Sequence, residues 1–258
     1  MYSGALQSSQ DGTHNLFYWL FRDPNRDSSS EFTVWINGGP GSTSMFGLFN
    51  ENGPLRVTRT GAGPDDFLVS LSPEGSWLDV GDILFIDQPV GTGFSFTSNV
   101  AQTYLDNMTQ AGDEFLIFLR NFVAMYPDYG MVSRNMTFSG ESYAGKYLPY
   151  FADRIIKDNK IMSISNVVLG NPYTSSVPQR TNTYKVAQSL GIIDSYNMDQ
   201  IAALRRRCEK AVSVNFTTSG ENCTQTLDYI LEVGGGIFDK DARLFNSDYQ
   251  AGAFKKAY

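Results

Sequence analysis

The stretch Met136-Thr-Phe-Ser-Gly140-Glu141-Ser142-Tyr143-Ala144-Gly145-Lys-Tyr147 decides how the rest of the chain is read. Met136-Thr-Phe138 has the composition of a short strand, and Leu148, Phe151, Ala152 and Ile155 fall on one face of a following helix. The segment between them reads as a G-x-S-x-G nucleophile elbow. Such a serine needs a sharp strand-to-helix turn to lift its hydroxyl above a sheet, and flanking glycines relieve the crowding there. An ordinary serine at a helix N-terminus accounts for less, because it does not explain the strand before the turn.

Working outward, the same alternation recurs. Leu16 to Phe21 reads as a strand, and Phe32-Thr-Val-Trp-Ile36 as a second that ends in Asn37-Gly38-Gly39-Pro40-Gly41. Ile83-Leu-Phe-Ile86 is a compact buried strand ending at Asp87-Gln-Pro. Thr103 to Tyr126 looks helical, with Phe115, Phe118, Leu119 and Phe122 at helical spacing and Pro127 as its stop. Asn166-Val-Val-Leu169 is a further strand, ending at Gly170-Asn171. Strands alternating with helices predict an α/β class, a mostly parallel sheet with helices on both faces. After about residue 175 helical periodicity dominates (Ile192 to Ala211) and no strand is expected. The expected division is a core over 1–175 and a helical insertion or cap over 176–258.

A chain of 258 residues, 41% hydrophobic, can bury a substantial core. A formal charge of −7 argues against nucleic acid as a partner, because a phosphate-binding surface needs excess lysine and arginine. No apolar run, that from Phe115 to Leu119 included, approaches the roughly 18 residues of a membrane span. The opening Met-Tyr-Ser-Gly-Ala-Leu-Gln lacks the charged and apolar regions of a signal peptide, so it reads as a mature start or a chain without one. Cys208 and Cys223 have no nearby histidine, so a disulfide closing a surface loop is expected rather than a zinc site or two free thiols. Sequons at Asn107, Asn135, Asn215 and Asn222 lean toward a secretory route.

Two further segments carry chemistry. A tetrahedral oxyanion needs two backbone N–H donors, one just after the nucleophile and one from a neighbouring loop. Tyr143 and Gly39 supply the candidates; a plain Gly/Pro turn would leave Trp35 and Asn37 without a reason. Gly91-Thr-Gly93 could pass for a dinucleotide loop, but Phe96 stands where the third glycine belongs and no helix follows closely.

Trp35-Ile-Asn-Gly-Gly-Pro-Gly41, Asp87-Gln-Pro-Val-Gly-Thr-Gly-Phe-Ser95 and Gly140-Glu-Ser-Tyr-Ala-Gly-Lys-Tyr147, in this order, resemble the serine carboxypeptidase family. Tyr2-Ser-Gly4, His14-Asn-Leu-Phe-Tyr-Trp19, Gly53-Pro54 and Gly170-Asn171 extend the likeness, which is dense to about residue 175 and thinner beyond. The resemblance implies an α/β-hydrolase fold that releases single residues from peptides with a free C-terminus, without a metal or cofactor. It makes Ser142 the nucleophile, Gly39 and Tyr143 the oxyanion hole, and Asn37 and Glu141 the holders of the substrate carboxylate. Glu51 falls where the family places a second acid paired with the first. Two touching carboxyl groups cannot both ionise cheaply, so one is expected to stay protonated and activity to favour acid.

The chain departs from the pattern in two places. Ser42-Thr-Ser44 stands where the family usually has a cysteine, which leaves the loop's rigidity open. The one histidine is His14, which precedes Ser142, whereas an α/β-hydrolase triad runs serine, acid, histidine. His14 is expected to be an exposed loop residue, and the base and acid to lie beyond this chain, with the last strands of the sheet. A two-chain protein whose second chain carries Asp and His, a truncated product and a degenerate member all fit. An acyltransferase of the same fold and a non-catalytic binding partner are the rival functions, and a lysosomal, vacuolar or secreted location follows from the family.

Overall fold

The computed structural model describes residues 1–25, 31–61, 63, 65–99, 104–130, 134–158, 160–214, 220–235, 237–238 and 241–245. The chain divides into two compact units, Met1–Thr174 and Ser175–Tyr258.

The first unit opens with an antiparallel pair, β1 (Tyr2–Gln7) and β2 (His14–Phe21), followed by β3 (Glu31–Ile36) and the short helix α1 (Met45–Asn50). A separate hairpin of β4 (Leu55–Arg59) and β5 (Phe67–Leu71) leads to β6 (Gly81–Ile86) and β7 (Phe96–Thr97). Helix α2 (Met108–Met125), β8 (Asn135–Glu141), α3 (Ala144–Asp158) and β9 (Ser163–Gly170) complete it. The sheet runs β1-β2-β6-β3-β8-β9 with β7 also on β2; β6, β3, β8 and β9 are parallel. The α2 periodicity was expected from Thr103, yet the helix starts at Met108, because the Asn107 side chain caps it by accepting from the Gln110 N–H at 3.0 Å.

Alternation sorts the strands' side chains into two cores. Leu84 and Ile86 of β6 point to the face where Phe115, Phe118 and Phe122 of α2 meet Leu148 and Phe151 of α3. Ile83 and Phe85 point to the other face, with Trp35 and the α1 residues Met45 and Leu48. Phe115 and Phe151 stack at 4.5 Å, tying the two helices together over the sheet. With its whole length buried, β6 has the continuous apolar run of a central strand.

At the N-terminal end of β6 one charged cluster is sealed in. Both side chains of Asp82 and Arg134 are fully buried and hydrogen-bonded at 2.5 Å, and Tyr129 Oη donates to the same Asp82 oxygen at 2.8 Å. The Arg134 guanidinium also lies 4.7 Å over the Tyr129 ring. The cluster joins β6, the turn after α2 and the start of β8.

The second unit holds α4 (Ser176–Thr181), α5 (Thr183–Ser189), α6 (Met198–Val214) and α7 (Gly220–Val233). Ala187, Ile193, Ile201 and Ile230 form its small core, and Cys208 is bonded to Cys223 between α6 and α7. No strand was expected after residue 175, but β10 (Ile237–Phe238) and β11 (Asp241–Phe245) form an antiparallel pair. Two and five residues are too short for a period-2 pattern to stand out from the helical background.

Asp82→Ala removes one partner of a buried ion pair and leaves the Arg134 charge behind. Stability should fall by about 3–5 kcal/mol, read from the urea midpoint at unchanged slope.

Candidate active site

Ser142 sits in the turn between β8 and α3 and is exposed, with φ of 54° in the left-handed region. That conformation costs a non-glycine residue about 1–3 kcal/mol and persists only where surroundings enforce it. Here three backbone hydrogen bonds do so. Ser142 N donates to Gly170 O at 3.0 Å, and Ser142 O accepts from Gly145 N at 3.0 Å and from Tyr173 N at 2.8 Å. The flanking pattern differs from the G-x-S-x-G reading in one respect. The residue two beyond the serine is Ala144, fully buried, and glycine follows only at 145. Gly140 accommodates the alanine, since a Cβ on Gly140 would lie 2.7 Å from the Ala144 Cβ.

The loop after β3 lies directly against this elbow. β3 and β8 are parallel neighbours with Ile36 opposite Gly140, so the two turns leave the sheet side by side. A Cβ on Gly38 would stand 2.4 Å from Tyr143 N, closer than any side chain can come. Among the described residues neither the Gly39 nor the Tyr143 N–H donates a hydrogen bond. Where a cysteine was expected from the family, Thr43 Oγ1 and Ser44 N both donate to Asp87 Oδ1 at 2.7 Å, and Ser44 Oγ donates to Ile86 O at 2.5 Å. Phe94 N donates to the other Asp87 oxygen at 3.0 Å. Asp87 thus clamps the glycine loop and the loop after β6 to one carboxylate, although burial pushes its carboxyl up from the usual range. Its role was not singled out from the sequence; the Gly91-Thr-Gly93 spacing beside it is the signal that it supports a tight loop.

Asn37 is buried and held by its own oxygen. Oδ1 accepts from the Trp35 indole N–H at 2.8 Å and from Gly47 N at 3.1 Å, while Asn37 N donates to Ser44 Oγ at 3.1 Å. Two N–H donors on the oxygen fix the amide's orientation, so Nδ2 must face the other way. It donates to Glu141 Oε1 at 3.0 Å and Glu51 Oε2 at 3.2 Å. The structure therefore brings Asn37, Glu51 and Glu141 together, one residue from Ser142. Glu51 caps the C-terminus of α1 and is half-buried there. Burial first, then the charge and hydrogen bond of Glu141, push the Glu51 carboxyl up to about 7; the Asn37 contact opposes this.

His14 is not the exposed loop residue that was expected. It opens β2, is 3% exposed, and places Nδ1 2.6 Å from Glu114 Oε1 on α2. A partner 100 residues away cannot be read from local polarity. β2 also lies three places from β8 in the sheet, on the order of 14 Å at the usual strand spacing. Of the sequons, Asn107 is exposed, Asn135 opens β8, Asn222 is half-buried on α7, and Asn215 lies outside the described residues. No helix among the described residues is long and apolar enough to cross a membrane.

The sheet order, the elbow and the glycine loop define an α/β-hydrolase type of protein, and the comparisons narrow the class. The serine carboxypeptidase family model matches residues 1–252, and the chain belongs to that family. The pheromone-processing carboxypeptidase KEX1 of Ogataea parapolymorpha is 35% identical over 221 residues, 82% of this chain and 34% of the relative. That of Metarhizium acridum is 33% identical over 242 residues, 90% of this chain and 38% of the relative. A solved prohormone-processing carboxypeptidase from Saccharomyces cerevisiae superposes with a TM-score of 0.75 at 28% identity, over 90% of this chain and 52% of that one. The chain thus spans little more than a third of its curated relatives and about half of the solved one.

The raised Glu51 group has a direct readout. Above 4.5 and below about 7 the native protein holds a proton that the unfolded chain has released, so stability declines as pH rises through that window. The Glu51 side-chain carbon should titrate near neutrality by NMR, Glu141→Gln should lower its midpoint, and Glu51→Gln should flatten the decline.

Proposed function

We propose that the protein is a serine-type carboxypeptidase that works through an acyl-enzyme on Ser142. The observation that carries this reading is the Asn37 amide, pinned so that its NH2 faces two carboxyl groups of which one resists ionisation. A protonated Glu51 is a hydrogen-bond donor, and beside the Asn37 NH2 it makes a donor pair suited to a peptide's terminal carboxylate. Two ionised glutamates would repel that ligand. With the carboxylate held there, the last peptide bond reaches Ser142, the neighbour of Glu141.

In the reaction Ser142 Oγ attacks the carbonyl carbon and its proton passes to a base. The Gly39 and Tyr143 N–H groups receive the negative charge that develops on oxygen. Breaking the C–N bond, with that proton returned to the departing nitrogen, releases the C-terminal residue; water then cleaves the ester. The base and its acid partner come from polypeptide beyond the described residues, either the same chain or a second one. Strand β9 supports this, because Val167 and Val168, on opposite faces of the sheet, are 47% and 44% exposed, and parallel strands are ordinarily covered on both sides. The Cys208–Cys223 bond and the exposed Asn107 sequon favour the secretory route, with a lysosomal, vacuolar or extracellular destination. Residues after 175 are, in this reading, the helical insertion of the family fold.

Hydrolysis of an N-blocked dipeptide by the protein purified without reduction, at about pH 5 where the raised carboxyl is protonated, is the test. Free amino acid should appear, the C-terminal amide should resist, and Ser142→Ala should lower kcat/KM by at least about 10⁴-fold. Binding of the dipeptide should weaken about tenfold per pH unit above the Glu51 midpoint. Equal cleavage of acid and amide would sink the carboxylate assignment. Transfer to an added alcohol in place of hydrolysis would identify an acyltransferase. Binding with neither reaction nor labelling of Ser142 by a fluorophosphonate would mark a non-catalytic partner.

A further inference from the structure

Glu51 owes its place to a tight turn as much as to the helix it ends. Its N–H donates to Gly47 O at 3.1 Å, and Gly53 N donates to the same oxygen at 3.1 Å. A φ of −121° and ψ of −99° at Glu51 take the chain out of α1. Gly53 then passes so close that a Cβ there would lie 2.1 Å from Leu48 O. One side chain gathers the carbonyls of this turn. The half-buried Arg56 guanidinium, near the start of β4, donates through Nη2 to Glu51 O at 2.7 Å, and through Nη1 to Gly53 O at 2.9 Å and Leu55 O at 2.8 Å. Its planar fork holds acceptors in several directions at once, which a lysine ammonium on a flexible stem does less rigidly.

Both peptide planes that flank the Glu51 Cα are therefore tied, one to Gly47 O and the other to Arg56. Fixing them fixes the direction of the Cβ, and from there the carboxyl meets Asn37 Nδ2 at 3.2 Å. We propose that Arg56 is a positioning residue for Glu51: by holding the Glu51 carbonyl it keeps the carboxyl aimed at Asn37 and Glu141, and so sets the affinity for a substrate's terminal carboxylate. The effect on substrate rests on the carboxypeptidase reading, whereas the aim of the Glu51 side chain does not depend on it.

Charge and geometry predict opposite signs when Arg56 is lost. Removing a nearby cation makes the Glu51 carboxylate harder to form and raises its midpoint. Releasing the Glu51 carbonyl lets the carboxyl turn toward water and away from Glu141. Burial and Glu141 are what hold that group up, so the midpoint then falls.

The test follows the Glu51 side-chain carbon by NMR in Arg56→Gln. Its midpoint should fall from about 7 toward 4.5, by at least about one pH unit. At about pH 5, KM for the N-blocked dipeptide should rise at least about tenfold with kcat little changed. Arg56→Lys keeps the charge but not the fork; it should move both readouts the same way by less, and it serves where the glutamine variant does not fold. Arg59→Ala removes a cation from the same hairpin, where it bonds Gly61 O and lies over Phe67, and should move neither readout. A raised or unchanged midpoint in folded Arg56→Gln, or an equal fall in Arg59→Ala, would overturn the assignment. A lowered midpoint, with no dipeptide hydrolysis by the unsubstituted protein, would keep Arg56 as the positioning residue of Glu51 and remove the peptidase reading alone.

Discussion

Everything at the C-terminal edge of the sheet depends on two backbone turns packed against each other with no side chain between them. The register of β3 on β8 sets Ile36 beside Gly140, so the turn after each strand starts at the same height. A side chain on Gly38 would collide with the Tyr143 amide, and one on Gly140 with both Ile36 O and the Ala144 Cβ. The close approach sets the turn at Gly38 directly against the Glu141–Tyr143 backbone. A hydrogen bond to Gly170 O and one from Tyr173 N then hold the serine in a conformation it would not choose alone. The strain is thus stored where the surrounding backbone over-determines the geometry, as expected of a working site.

The acid pair follows from the same packing. Trp35 and Gly47 donate to the Asn37 oxygen, which leaves the amide nitrogen no direction but toward Glu51 and Glu141. Bringing two half-buried carboxyl groups to one donor is unfavourable when both are charged, and one of them keeps its proton into the neutral range. The arrangement opposes stability near neutral pH, which is reasonable where a charged ligand later compensates and hard to explain as scaffolding. Asp87 shows the contrast. It too is buried and pushed up, but three hydrogen bonds from backbone and hydroxyl donors answer its charge, and it clamps loops together.

The strands and helices around Ser142 were legible because their signals are local: a β-rich run, a glycine turn, then a 3.6-residue period. The candidate residues Asn37, Ser142 and Glu141 were legible through motif resemblance, and Glu51 only through it, since nothing in its own neighbourhood marks a buried acid. Two kinds of feature were hidden. The exposed β4–β5 hairpin has no buried face, so its residues carry no alternation to read. His14 looked like a turn residue because Asp11, Gly12 and Thr13 precede it, while the residue that buries it, Glu114, lies on α2. Contacts across 100 residues are a property of the topology, and here they reverse the local reading.

The position of His14 also bears on catalysis. A general base must come within about 2.6–3.2 Å of the proton it takes, or reach it through one water. Three strand spacings separate β2 from β8, and the imidazole is held by Glu114 with its body buried in the hairpin contact. Side-chain rotation cannot span that gap, and moving β2 would break its pairing with β6. Chemistry at Ser142 therefore requires a base from elsewhere, and the exposed face of the elbow leaves that approach open. The Asn37 amide and its acid pair need no such addition, because the bonds from Trp35 and Gly47 to the amide oxygen already turn its nitrogen toward both carboxyl groups.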